Sequence, residues 1–63
     1  MSDLLQFFEY ERFPERLQSV IKPFHALAHQ MSATLPKNRM SDVAMWKLLE
    51  AKDCAVKAAL YKE

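Results

Sequence analysis

Apolar residues recur at three- and four-residue steps along two long stretches of this chain, which is the spacing of an amphipathic α-helix. The two stripes consist of Leu17, Val20, Ile21, Phe24, Leu27, Ala28 and Met31, and of Met45, Leu48, Leu49, Ala55, Val56, Ala59 and Leu60. A shorter apolar group precedes them: Leu4, Leu5, Phe7 and Phe8. No segment alternates apolar and polar positions as a strand does. The pattern predicts an all-α fold, a short N-terminal helix followed by two long antiparallel helices.

Prolines and polar capping residues predict where the long helices begin and end. Pro14 fits the first position of the first long helix, because a residue there needs no partner for its N–H group. Pro23 lies inside this helix and predicts a kink, since its ring clashes with the carbonyl four residues earlier. The helix is expected to end before the Leu35-Pro36 pair. Asn38 or Ser41 is expected to cap the last helix, which should end near the last apolar residue of its stripe.

The composition bounds the class of protein. The chain has 63 residues, no glycine and a single cysteine, Cys54. A domain of this size buries only about 60% of its unfolded surface, yet 51% of the residues are hydrophobic. We therefore expect one domain, residues 1–63, that assembles as a homo-oligomer. The missing glycines exclude the phosphate-binding loops that require glycine, and the lone Cys54 is expected to be a packed, unreactive thiol.

The charge distribution argues against binding to duplex nucleic acid. The net charge is +1, with −2 over residues 1–20 and +3 over residues 21–63, which is far from the uniform basicity of a duplex binder. The first three residues are acidic in balance, whereas a secretory signal would begin with basic ones. No apolar run reaches the ~20 residues of a membrane span. These features predict a cytoplasmic protein that contacts neither duplex nucleic acid nor a membrane.

The residues that bear reactive groups do not form a catalytic pattern. His25 and His29 are four residues apart, so a helix places both rings on one face. A zinc site would require a third ligand, and the simpler interpretation is a polar stripe on the helix surface. Cys54 has no histidine on its own predicted helix and no oxyanion hole in the sequence. We expect no enzymatic activity, no metal and no cofactor.

The N-terminal aromatic residues are the most informative feature. Within seven positions the chain carries Phe7, Phe8, Tyr10 and Phe13, and Lys22 follows on the next predicted helix. An aromatic ring beside an ammonium suits a nucleobase and its phosphate, because the ring stacks and the lysine neutralises charge. On composition alone, the simpler interpretation is that these rings form the packing face of the short helix, with Tyr10 half-buried.

The polar face of the last predicted helix carries a tryptophan, Trp46. Because tryptophan is enriched where proteins meet, we expect this residue at a subunit interface. On the same face, Asp53 and Lys57 are spaced four residues apart and are expected to form an ion pair.

Two stretches of the chain resemble a known family. Residues 8–10 (Phe-Glu-Tyr) followed by residues 20–22 (Val-Ile-Lys) are similar to the start of the phage anti-CBASS cyclic-nucleotide sponge family. Residues 35–39, 43–45 and 48–58 are similar to its second half, so that the resemblance covers most of the chain in the family's order. The chain departs from the family after its tyrosine, where histidine and proline are usual, and after the turn, where a Glu-Arg pair is common.

The resemblance implies a function and a set of ligand-binding residues. Proteins of this family are homohexamers of helical hairpins that bind cyclic di- and trinucleotide second messengers without cleaving them, which blocks antiphage signalling in the cytoplasm of the infected host. Tyr10 matches the tyrosine that stacks on a base, and Lys22 matches the basic residue that faces the phosphate or base edge. Lys57 falls near the second ligand pocket, and Phe8 belongs to the first ligand-binding stretch.

A different class of function also fits the sequence. The same helical hairpin is suited to a protein-interaction module with no nucleotide ligand, in which Phe7, Phe8 and Trp46 contact a host or phage partner. The two hypotheses differ in whether a cyclic nucleotide stabilises the protein.

Overall fold

The fold is an all-helical hairpin. The computed structural model describes the backbone of residues 2–61 and the side chains of residues 4–61. A 3-10 helix spans Ser2–Phe8, helix α1 spans Glu15–Thr34, helix α2 spans Arg39–Tyr61, and residues 2–61 contain no strand. The two α-helices pack against each other, and the 3-10 helix packs against both. The predicted all-α fold is confirmed, with a 3-10 helix as its short N-terminal element.

Helix α1 begins one residue later than predicted. Pro14 is its N-cap, with φ −55° and ψ 153°, rather than its first helical residue. The Pro14 carbonyl accepts hydrogen bonds from the N–H groups of Leu17 and Gln18, at 2.9 and 3.0 Å. The helix then continues through Pro23, and the proline ring is exposed. The unbroken apolar stripe on both sides of Pro23 predicted this continuity. A kink at Pro23 stays a prediction.

The connection between the helices is as short as the prolines predicted. Leu35 follows α1 in an extended conformation, φ −84° and ψ 142°, which the following proline favours. Asn38 then caps α2, and Ser41 completes the cap. The Ser41 N–H donates to Asn38 Oδ1 at 2.9 Å, and the Asn38 N–H donates to Ser41 Oγ at 3.0 Å. This reciprocal pair satisfies two donors at the start of the helix.

Phe8 is the centre of the core. Its side chain is 0% exposed and packs in one cluster with Ala28 of α1 and with Met45 and Leu49 of α2. Partly buried apolar side chains surround this cluster: Leu4, Leu5, Phe24, Met31 and Leu48. Removing a buried phenylalanine side chain costs about 3–5 kcal/mol. Phe8 therefore fixes the 3-10 helix in the groove of the hairpin.

Several side chains lie outside the core positions that the pattern predicted. Leu27 and Leu60 belong to the predicted stripes but are exposed. The prediction of a packed thiol is wrong, because Cys54 is exposed. Cys54 lies two residues beyond the buried Lys52, which is about 200° around the helix. It therefore faces away from α1 and the 3-10 helix, and the hairpin has no third layer to cover it.

The described helices are not membrane-spanning. Within residues 2–61, neither α1 nor α2 is both long enough and apolar enough to cross a bilayer.

The Asn38 cap can be tested by mutation. Asn38→Ala removes the oxygen that accepts the Ser41 N–H, so we expect the free energy of unfolding to fall by about 1 kcal/mol. Lys37→Ala changes an exposed neighbour outside the cap and is expected to alter stability by less than about 0.5 kcal/mol. Urea denaturation followed by circular dichroism, at one fixed protein concentration, measures both. Equal stabilities of the two variants would contradict this role for Asn38.

Candidate ligand-binding site

Four side chains meet where the N-terminal segment crosses α1, and we refer to Tyr10, Lys22, His25 and His29 as the Tyr10 cluster. The rings of Tyr10 and His25 lie edge to face, with centroids 5.0 Å apart and an interplanar angle of 90°. The His25 and His29 centroids are 4.4 Å apart. The Lys22 Nζ atom lies over the Tyr10 ring, 5.3 Å from its centroid. This lysine position is a cation–π contact.

Helical spacing and the core together assemble the Tyr10 cluster. Lys22, His25 and His29 are three and four residues apart on α1, which places them on one face. Tyr10 lies two residues after the buried Phe8, in a turn that the Phe13 N–H closes on the Tyr10 carbonyl at 3.0 Å. The anchored 3-10 helix therefore determines where the Tyr10 ring meets α1.

A hydrogen bond ties this cluster to the core residue. His25 Nδ1 lies 3.2 Å from the Phe8 carbonyl oxygen. Because a carbonyl only accepts, Nδ1 carries the proton and donates it in this bond. In the neutral ring, Nε2 is then left with a lone pair that accepts a hydrogen bond. Phe8 thus contributes its side chain to the core and its carbonyl to the orientation of the imidazole.

The Tyr10 cluster is open to solvent in part. Tyr10 and His25 are half-buried, whereas Lys22 and His29 are exposed. Half-burial of Tyr10 agrees with the packing that the simpler interpretation of the aromatic residues predicted. The Tyr10 ring is held against α1 on one side. The Lys22 ammonium and the His29 imidazole are exposed and can contact a bound molecule.

The other two predicted ligand residues lie apart from this cluster. The Phe8 side chain is fully buried, so within the protomer it has no surface to offer a ligand. The expectation that it contacts a ligand does not fit this position. Lys57 is exposed on α2, and among the described residues no ion pair or cation–π contact joins it to Tyr10. Its predicted partner Asp53 pairs instead with Lys52, with Nζ and Oδ1 2.9 Å apart.

Lys52 is a residue that the sequence pattern missed. It is only 7% exposed, although lysine is rarely buried unless it is paired. It lies three residues after Leu49 and four before Val56, so it occupies a core position of the apolar stripe of α2. The spacing of Lys52 from Leu49 and Val56 was therefore the sequence signal that predicts its burial, although its residue type does not.

The surroundings of His25 and His29 show whether the two histidines have a third potential metal ligand beside them. Among the side chains of residues 4–61, no three histidine, cysteine or carboxylate groups come together at a spacing that would hold a metal ion. His25 and His29 therefore form a two-residue pair beside a tyrosine and a lysine.

Comparisons of this chain with protein-family models, with curated proteins and with solved structures find no significant match. The chemistry of the Tyr10 cluster therefore has to be inferred from its own groups, an aromatic ring, two imidazoles and an ammonium. Such groups stack on flat rings and donate hydrogen bonds to anions.

The hydrogen bond from His25 can be tested by mutation, with His29 as the control position. His25→Phe keeps a ring against Tyr10 but removes the donor to the Phe8 carbonyl, so we expect the free energy of unfolding to fall by about 1 kcal/mol. His29→Phe alters an exposed ring that makes no hydrogen bond among the described residues, and is expected to change stability by less than about 0.5 kcal/mol. Urea denaturation measures both. The same loss in both variants would show that the hydrogen bond does not stabilise the fold.

Proposed function

We propose that this protein binds and sequesters cyclic di- and trinucleotide second messengers without cleaving them. The observation that carries the proposal is the Lys22 ammonium, 5.3 Å from the Tyr10 ring centroid, with His25 and His29 along the same face. A cyclic oligonucleotide presents flat bases joined by phosphodiesters. A site for it has to offer aromatic surface and positive charge side by side, as the Tyr10 cluster does.

The two parts of the ligand have separate partners in this arrangement. A base stacks on Tyr10, which is worth roughly 1–3 kcal/mol per base in single-strand binders. Lys22 covers one face of the ring, so the base takes the other face or displaces the ammonium. In either case the exposed ammonium is close enough to pair with the adjoining phosphate, a charge-assisted contact. His29 adds an exposed imidazole on the same side.

Sequestration is the part of the proposal that comes from the resemblance to the sponge family. Binding alone is sufficient for it, because a second messenger held by this protein is withheld from its receptor. The consequence is a block of cyclic-oligonucleotide antiphage signalling in the cytoplasm of an infected host.

We further propose that the working unit is a homo-oligomer, which is a hexamer in the sponge family. Large apolar side chains are exposed on the protomer, among them Trp46 at 54% and Tyr61 at 68%. Burying such residues between subunits is the ordinary way to remove them from water. Lys57 lies on the same helix as both, so a second pocket that includes Lys57 would form where subunits meet.

The exposed aromatic residues also favour the alternative of a protein-interaction module. Phe7 is 50% exposed, and together with Trp46 it offers anchors for a protein partner. In this alternative no cyclic nucleotide stabilises the fold, and the protein is a monomer or dimer in solution.

Ligand binding tests the proposal. Cyclic di-GMP, cyclic di-AMP and cyclic tri-AMP are titrated by calorimetry, and at least one is expected to bind. Tyr10→Ala should weaken that binding by about 5- to 150-fold, the equivalent of losing one stacked base. Lys22→Ala should weaken it and reduce its dependence on salt. Lys47→Ala removes an exposed lysine outside the Tyr10 cluster, and should leave the affinity unchanged.

Two further readouts separate the possible outcomes. Heating the complex should release intact cyclic nucleotide, whereas release of linear product would overturn sequestration and indicate a hydrolase. Absence of binding to all three ligands, with a monomer or dimer mass by light scattering, would overturn the proposal in favour of the interaction module.

A further inference from the structure

A concave site lies between the N-terminal segment and α2, whereas the Tyr10 cluster lies between that segment and α1. It is a groove of about 390 Å³ lined by Gln6, Phe7, Glu9, Arg12, Phe13 and Lys52, which we call the Lys52 groove. We propose that the Lys52 groove binds a mononucleotide, recognised as an anion carried on a flat ring. The proposal does not rest on the function assigned to the Tyr10 cluster.

The charges in the groove favour an anion. Lys52 is 7% exposed, and its one ion-pair partner among the described residues is Asp53, whose side chain is 56% exposed. A buried lysine needs compensation of its charge; Asp53 supplies it at 2.9 Å from the solvent side, and an anion in the groove would supply it from the other. Arg12 also lines the groove and forms no ion pair within the described part of the chain.

Glu9 is the one carboxylate that lines the groove, and it does not cancel these charges. Within residues 4–61 its carboxylate is not paired with either Arg12 or Lys52. Arg12 and Lys52 thus share the lining of the groove with one carboxylate, Glu9, while Asp53 pairs with Lys52 without lining the groove. A phosphate monoester, which carries a charge of about −1.5 to −2 at neutral pH, would give Arg12 an ion-pair partner and Lys52 a second one. The Arg12 guanidinium has the geometry to bind two of its oxygens at once.

The walls of the groove favour a ring attached to that anion. Phe7 is 50% exposed and Phe13 is half-buried, so two aromatic surfaces border the same space as the cations. Bases stack on such rings regardless of sequence. The Gln6 side chain, which forms no hydrogen bond among the described residues, has both a donor and an acceptor for a base edge.

The size of the groove fits one nucleotide. Small-molecule pockets typically enclose about 300–1,000 Å³, and the Lys52 groove lies at the lower end of this range. One base with one phosphate suits it better than a cyclic dinucleotide with two of each.

The experiment is an NMR titration of the full-length, ¹⁵N-labelled protein with GMP, guanosine and inorganic phosphate. GMP is expected to shift the backbone amides of residues 6–13 and those around Lys52, and to bind at least about tenfold more tightly than either fragment, because it alone engages both cations and rings. Arg12→Gln should weaken GMP binding about five- to tenfold by removing one charge-assisted contact. Arg16→Gln, a matched exposed arginine outside the groove, should leave it unchanged.

Two more variants separate this site from the Tyr10 cluster and from unfolding. Tyr10→Ala is expected to leave the GMP-induced shifts around Lys52 unchanged, so a failure of cyclic-nucleotide binding and a failure of this proposal are told apart. Lys52→Met keeps the buried stem without its charge and should weaken GMP binding, with the spectrum reporting whether the fold is kept. The proposal is overturned if GMP binds no better than guanosine or phosphate. It is equally overturned if the shifts centre on His25 and His29 and disappear in Tyr10→Ala.

Discussion

The burial of Phe8 is the contact on which the rest of the structure depends. A hairpin of two helices leaves one side of its groove open, and the Phe8 side chain fills that side against Ala28, Met45 and Leu49. Because this ring cannot move without opening the core, the backbone on either side of it is fixed. Tyr10 is thereby held over α1, and Phe7 is held at the edge of the Lys52 groove. The His25 bond to the Phe8 carbonyl links the core contact to the Tyr10 cluster directly.

The helices could be predicted from the sequence because strong local signals mark them. Apolar spacing defines α1 and α2, Pro36 ends α1, and Asn38 with Ser41 starts α2. These signals act over a few residues, so no tertiary information is needed to read them. The start of α1 was one residue off because Pro14 is compatible with both the capping position and the first helical position.

The candidate site was harder to predict because it depends on tertiary packing. Phe7 and Phe8 are adjacent rings in a seven-residue element, and periodicity over so short a stretch does not determine which ring is buried. The family resemblance places Phe8 among the ligand-binding residues, whereas the structure places its ring in the core. The burial of Lys52 was also hard to predict, because a charged residue occupies a core position of the apolar stripe of α2. The pairing of Tyr10 with Lys22 was expected from their chemistry and the sponge-family resemblance, and the contact with His25 emerged only from the fold.

The proposed function depends on this arrangement, in which the buried Phe8 ring positions the half-buried Tyr10 ring. The most direct test of this account is an NMR structure of the protein with cyclic di-GMP, in which contacts between protein and ligand protons are measured as intermolecular nuclear Overhauser effects. The account predicts such effects between a guanine ring proton and the ring protons of Tyr10, with the Phe8 ring still in contact with Ala28 and Leu49. Ligand contacts at Trp46 or Phe7 with none at Tyr10, or a Phe8 ring released from the core, would contradict it.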